Sequence, residues 1–312
     1  MRTKTSAENV PWLIAGVVFL ALLLVVVWHF RQDASPAQQL AGKASRADLV
    51  GRMQLDLASA AEAEKSAVLA ITDEDSQKFA DQARAATAEV ERERQELGAL
   101  LAAGGTQHER DLLPQFSQAF ANLQRVDSEV LALAVKNTNL KAYSLLFGPA
   151  ANTLAEMDAA LARVVAKHAD AADAKRVMLM AFDARLGALR IQTLLAPHIA
   201  EESDAKMDNM EASMAKVEAT VRKDLDGLAA LAKLAHDADV AMAAASFGRY
   251  AAIKARILPL SRENTNVRSL ALSLNQKRKA MLVCLDALSS LKQAILDEPI
   301  AGVTYGRPAK PR

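Results

Sequence analysis

Five histidines, one cysteine and several groups of carboxylates are the residues with which this chain could do chemistry. His29, His108, His168, His198 and His236 never stand three or four apart, so no helix offers a paired metal site. Cys284 stands alone, which excludes an internal disulfide, and in an apolar helical setting it reads as a small buried hydrophobe. Glu89, Glu91, Glu93 and Glu96 alternate with Arg92 and Arg94. Positions one or two apart do not share a helix face, so this run reads as a solvated surface and not as a catalytic pair. The sequence holds neither a phosphate-cradling glycine loop nor a G-x-S-x-G elbow. Met207, Met210 and Met214 fall on a helical seam and read as core filling, not as a copper site. Together these residues predict no catalytic group, no metal site and no cofactor.

The remaining polar groups of interest lie at predicted turns. Thr72-Asp73-Glu74-Asp75 has the form of a capping box, and Asn137-Thr138-Asn139 and Asn264-Thr265-Asn266 sit between apolar seams. In an up-down-up-down bundle the first and third turns share one end. Thr72 and Asp75 are therefore expected near Asn137 and Asn139, and Glu202 near Asn264 and Asn266. These seven residues are the candidate ligand-binding set, as polar bundle tips. The competing reading is ordinary helix capping, for which Asn, Thr and Asp are preferred in any case.

The elements that would position them are helices. Apolar residues recur at alternating steps of three and four: Val50, Met53, Leu57, Ala60, Val68, Ile71, then Phe79, Ala83, Ala86, Val90, Leu97, Leu100, then Phe116, Phe120, Leu123, Val126, Val130, Leu133. Gly104-Gly105 ends the second helix and Thr106 caps the third. At Asn137 two readings stand: a turn between helices, or a buried polar residue inside a continuous helix. The turn gives helices of similar length, as the bundle topology prefers. Pro149 would then kink the fourth helix.

The scheme repeats. FANLQRVDSEVLALAVKNTNLKAYSLL from Phe120 returns as FGRYAAIKARILPLSRENTNVRSLALS from Phe247, and ITDEDSQKF from Ile71 as IAEESDAKM from Ile199. The spacing implies a duplicated unit of about 127 residues, the size of an ordinary domain. Second-copy helices are expected at about 170–199, 203–235, 237–263 and 266–296 from the same periodicity and capping signals.

Ahead of the helical body, Val10 to Trp28 holds no charged residue and is close to the ~20 residues a membrane-spanning helix needs. Trp12 and Trp28 lie near its ends, where amphipathic rings favour the headgroup level. A cleaved signal peptide would have a shorter apolar run with a small-residue site directly after it; here His29, Phe30, Arg31 and Gln32 follow. Asp33 to Ala44 is small, polar and aperiodic and reads as a linker. The end, Glu298 to Arg312, holds Pro299, Pro308 and Pro311 and reads as a flexible tail. Across 312 residues, 38 basic side chains balance 37 acidic ones, and aromatics are 4%. That argues against a nucleic-acid partner.

AEAEKSAVLAITDEDSQKFADQARAATAEVERERQEL resembles the first hairpin of the four-helix-bundle sensory domain of methyl-accepting chemotaxis receptors, and VLALAVKNTNLKAYSLLFGPA and ILPLSRENTNVRSLALSL resemble its third turn and fourth helix. The resemblance covers Ser45 to about Leu296 as two copies. It implies a periplasmic bundle that dimerises side by side, senses small molecules and signals through the membrane, and it places the N-terminus in the cytoplasm. The sequence departs from that pattern in showing no second apolar span, no HAMP-like linker and no cytoplasmic coiled coil with adaptation glutamates.

The expectation is thus an all-α protein with an N-terminal transmembrane helix and two tandem up-down-up-down four-helix bundles. Its parts are a stub and span at 1–30, a linker at 31–44, bundles at 45–168 and 169–297, and a tail at 298–312. The expected partners are the lipid bilayer through residues 10–28, a second copy or another envelope protein, and a small-molecule ligand. The expected location is the inner membrane, single-pass, with the body in the periplasm. The alternative is a structural or adaptor protein of the envelope that acts by helix association alone.

Overall fold

The structure, a computed structural model, describes residues 35–300 apart from residue 232. Residues 10–28, the expected membrane span, lie outside the described residues, as does most of the expected tail. Among the described residues there is no strand, and no helix is long and apolar enough to cross a membrane.

In chain order the helices are α1 (Pro36–Leu69), α2 (Asp73–Gly104), α3 (Gln107–Ala134), α4 (Thr138–Leu145), α5 (Ala151–Lys167), α6 (Ala174–Ala200), α7 (Asp204–Ala229), α8 (Ala238–Glu263), α9 (Thr265–Leu272) and α10 (Arg278–Asp297). Five-residue π-helical turns, Leu146–Ala150 and Ser273–Lys277, join α4 to α5 and α9 to α10. Local chemistry sets the starts. Ser35 Oγ accepts the Gln38 N–H at 3.3 Å while Gln38 Oε1 accepts the Ser35 N–H at 2.9 Å, a reciprocal cap with Pro36 in the first turn. The stretch Asp33 to Ala44, expected as a linker, is therefore helical from Pro36 onward. Thr72 Oγ1 accepts the Asp75 N–H at 3.0 Å, Thr106 Oγ1 accepts that of Glu109 at 3.1 Å, and the Asp237 carboxylate accepts those of Asp239 and Val240. Gly105 closes α2: a Cβ there would meet the Leu101 backbone at 2.9 Å.

The expected seams are mostly buried, from Val50, Met53 and Leu57 through Val90, Phe116 and Val130 to Met214 and Leu228. Ile71 is an exception at 81% exposure, because it lies past the end of α1 in the turn. Glu93 is the opposite exception. It was expected on a solvated face, yet it is buried, with Arg52 Nε at 3.6 Å.

The chain forms two compact units, neither of them a continuous stretch. The first takes its described residues from 35–55, 89–118 and 285–300. Its core includes Leu49, Val50, Met53, Leu97, Leu101, Phe116, Leu288, Leu291 and Ile295. Arg46 closes its polar end, donating to the Gly104 carbonyl, with Nε 3.2 Å from Glu109 and a further ion pair to Glu298. Burial pushes the Glu109 carboxyl above its usual range, and Arg46 opposes that shift.

The second unit takes residues 56–88 and 119–284. It holds two apolar clusters. One joins Ala67, Val68, Ala80, Ala83, Val126, Val130 and Ala134 of α1, α2 and α3, with Leu272 of α9 packed against them. The other joins Leu146, Met157 and Val164 to Ile191, Leu195, Val221, Phe247 and Ile257 of α6, α7 and α8. So α4 and α5 pack with the helices that follow them, and α9 packs with the first three. The division at 45–168 and 169–297 follows the order of the chain, and the packing crosses it.

Candidate functional site at the paired Asn-Thr-Asn turns

Asn137 and Asn264 end α3 and α8 in the left-handed conformation, with φ of 51° and 52°. Asn tolerates this region better than other residues with a Cβ. Of the two readings left open at Asn137, the backbone takes the turn. The side chains are nonetheless buried, so each Asn is also an interior polar residue.

The two turns meet. Thr138 donates its backbone N–H to Thr265 Oγ1 at 3.1 Å, and Thr265 donates its own to Thr138 Oγ1 at 3.1 Å. Asn139 N–H donates to Asn266 Oδ1 at 3.2 Å, and Asn266 N–H to Asn139 Oδ1 at 3.1 Å. Asn139 Nδ2 donates to Asn264 Oδ1 at 2.7 Å, and Asn266 Nδ2 to Asn137 Oδ1 at 2.9 Å. Each bond has a partner related by exchanging the two turns, which is the hydrogen-bond pattern of a local two-fold axis. Buried backbone N–H groups at a helix start need acceptors, and here each turn supplies them to the other.

Each turn also ties down an earlier one. Asn137 Nδ2 donates to Asp73 Oδ1 at 3.1 Å, and Asn264 Nδ2 to the Glu201 carbonyl at 2.6 Å. The expected neighbourhoods are present: Asn137 lies by the Thr72–Asp75 turn and Asn264 by the Glu201–Asp204 turn. The meeting of both triplets at one place is what sequence reasoning missed. Of the seven candidate residues, Asn137, Asn139, Asn264 and Asn266 are brought together in a largely buried core, whereas Thr72, Asp75 and Glu202 are exposed.

A cleft of about 360 Å³ opens beside this core, lined by Glu202, Asp204, Met207, Arg262, Asn264, Val267, Arg268 and Ala271. Arg262 is held by Glu211 at 2.8 Å and Asp208 at 2.5 Å. Arg268 and Glu202 make no side-chain ion pair among the described residues. Their counterpart on the other turn differs. Lys141 occupies the place of Arg268 there, and it is neutralised by Asp73 at 3.0 Å and bonded to the Lys136 carbonyl. Lys141 is also the main reason the Asp73 carboxyl sits below its usual range.

Below the cleft, three residue types familiar from hydrolases are in contact. His198 Nδ1 is 2.7 Å from Ser261 Oγ, and His198 Nε2 is 2.9 Å from Glu211 Oε1. Their roles are different here. The Ser261 hydroxyl donates to the His198 carbonyl at 2.9 Å, so its proton is not offered to a base, and both residues are fully buried. A nucleophile needs its base on the hydroxyl proton and a path for substrate. This group clamps α6 to α8 instead, and Arg262 first and His198 second hold the Glu211 carboxyl below its usual range. Neither His198 nor Ser261 had a spacing signal, because their pairing is across helices.

No curated protein matches the sequence. Residues 52–176 match the family model of a four helix bundle sensory module for signal transduction. The matched stretch contains most of α1 with α2 to α5, the same hairpins and third turn described above. Over residues 52–176, the chain is similar to the four-helix-bundle sensory modules of signal-transduction proteins.

Proposed function

We propose that this is a membrane-anchored, non-enzymatic sensory protein that binds a small polar molecule through its helical bundles. Two observations carry the reading: the family match over residues 52–176 and, beyond the matched stretch, an open cleft beside the buried polar turns whose Arg268 and Glu202 make no side-chain ion pair among the described residues. Asn264 links cleft to core: it lines the cleft while its side chain holds both Asn139 and the Glu201 turn. A ligand there would act on the turns that carry α3 and α8 into α4 and α9. The apolar run Val10 to Trp28 supports an anchor in the inner membrane, with the body in the periplasm as in the family the sequence resembles.

Pairing with a second copy is part of this reading. Leu179, Phe182, Leu186 and Leu189 recur at steps of three and four along α6 and are exposed, Phe182 by 58%. Such a seam on a soluble face marks an interaction surface.

The experiment is a thermal-shift screen of small polar molecules on the full chain in detergent, followed by the hits on Arg268→Ala. A ligand of the native state raises the melting temperature in a saturable way. Loss of that shift in Arg268→Ala supports the cleft. The adaptor reading is favoured if no compound shifts the melt.

A further inference from the structure

The second unit buries a cluster of charges that the sensory reading does not use. Lys277 Nζ lies 2.7 Å from Glu64 Oε2 and 2.7 Å from Asp127 Oδ1, and all three residues are buried. They come from α1, α3 and the π-helical turn Ser273–Lys277. Glu64 Oε1 has no hydrogen-bond partner among the described residues. Two carboxylates thus depend on one ammonium group.

The place of Lys277 in the chain gives the cluster its meaning. Asn264 with α9 and the following π-helical turn copies Asn137 with α4 and its π-helical turn, residue for residue at a spacing of 127. The residue that corresponds to Lys277 is Ala150. It is fully buried in the other apolar cluster, with Leu146, Met157 and Ile191. Two near-copies of one helix are therefore available to the α1–α3 set, and the copy directly downstream, α4 with α5, is not the one it takes.

We infer that the Lys277–Glu64–Asp127 cluster decides which of the two copies completes the α1–α3 bundle. Seating α4 and α5 on α1–α3 would set Ala150 against Glu64 and Asp127 and leave two buried carboxylates without a cation. The same exchange would carry Lys277 into an apolar cluster. Both halves of the exchange strand buried charge, which is strongly unfavourable. Single buried polar residues fix register and partner in other helical assemblies by the same penalty on the wrong pairing.

The test uses the full chain with pairs of introduced cysteines and a short bis-maleimide. Native Cys284 is buried, its thiol pushed up to about 12, so it stays silent. Lys292 Nζ is 3.4 Å from Gln54 Oε1, so Gln54→Cys with Lys292→Cys reports the observed pairing. Val165 holds the corresponding position on α5, so Gln54→Cys with Val165→Cys reports the alternative. In the native background the first pair should link and the second should not. Exchanging the charge, Ala150→Lys with Lys277→Ala, should move most of the product to the second pair. A second variant covers failure of that exchange to fold: Glu64→Leu, Asp127→Leu and Lys277→Leu together. Apolar replacement of a whole buried ion cluster is commonly tolerated. It should fold and give both products. If this triple variant still links only Gln54→Cys with Lys292→Cys, the cluster does not choose the partner and the inference is wrong.

Discussion

Thr138 and Thr265, far apart in sequence, each cap the other: every backbone N–H finds the opposite Oγ1 at 3.1 Å, and the two hydroxyls lie 3.2 Å apart. This joins the start of α4 to the start of α9 through uncharged groups. Replacing either Thr by Val keeps the shape and strands one buried N–H. Each change should cost about 1–3 kcal/mol, and Ser should restore most of it. The two losses should not add, since both remove one shared network. Urea titrations of the single and double variants would measure this.

Asn137 and Asn264 combine two roles that substitution can separate. Gly accepts φ near 51° without strain, but it removes the side-chain bonds to Asp73 and Asn266 in one case and to Glu201 and Asn139 in the other. Gly should therefore cost about 1–2 kcal/mol at each site. Leu loses the same bonds and adds left-handed strain of about 1–2 kcal/mol, so it should be the worse change at both positions. Melting temperatures in the order Asn above Gly above Leu would agree. A gain for Asn137→Leu would contradict the buried network.

The Glu211 clamp predicts an acid-sensitive link between α6, α7 and α8. Its carboxyl is depressed below the ordinary 4.5 by Arg262 and His198, so the folded state binds the proton more weakly than the unfolded chain does. Stability from this group is present above 4.5 and is lost as pH falls through and below it. Glu211→Gln should lower stability at pH 7 by about 1–2 kcal/mol and flatten the fall of the unfolding midpoint between roughly pH 5 and 3. An unchanged acid slope would show that the clamp does not titrate in this range.

Phe182 is exposed within the chain, so Phe182→Ser should leave the melting temperature of a dilute monomer nearly unchanged. If the α6 seam pairs two copies, the same change should weaken self-association about tenfold or more, since large apolar and aromatic anchors dominate such contacts. Sedimentation equilibrium of the native and Phe182→Ser chains reads this directly.

Much of the fold is legible in the residues. Steps of three and four place the helices, and Thr72, Thr106 and Asn137 mark where they begin and end, because those signals act over a few residues of chain. Partner choice is different in kind. Periodicity says that the inner face of α4 is apolar, not which of two repeated neighbours will cover it. Glu64 and Glu93 sit in charged runs that look solvated, and only the packing of distant helices buries them. The turn Leu146–Ala150 contains Pro149, a visible cause for irregular helix, whereas Ser273–Lys277 adopts the same form with no proline. The helical start at Pro36 hid in small polar residues whose Ser35 cap is a single reciprocal contact.

Ligand binding in the cleft beside Asn264 is the central property to test. The direct measurement is calorimetric titration of the native protein, and of Arg268→Ala, with the best compound from the thermal-shift screen. Saturable binding at about one site per chain, weakened at least tenfold in Arg268→Ala with the fold intact, is the predicted result. Absence of heat from every candidate, or binding unchanged by Arg268→Ala, would contradict a ligand site in the cleft beside Asn264.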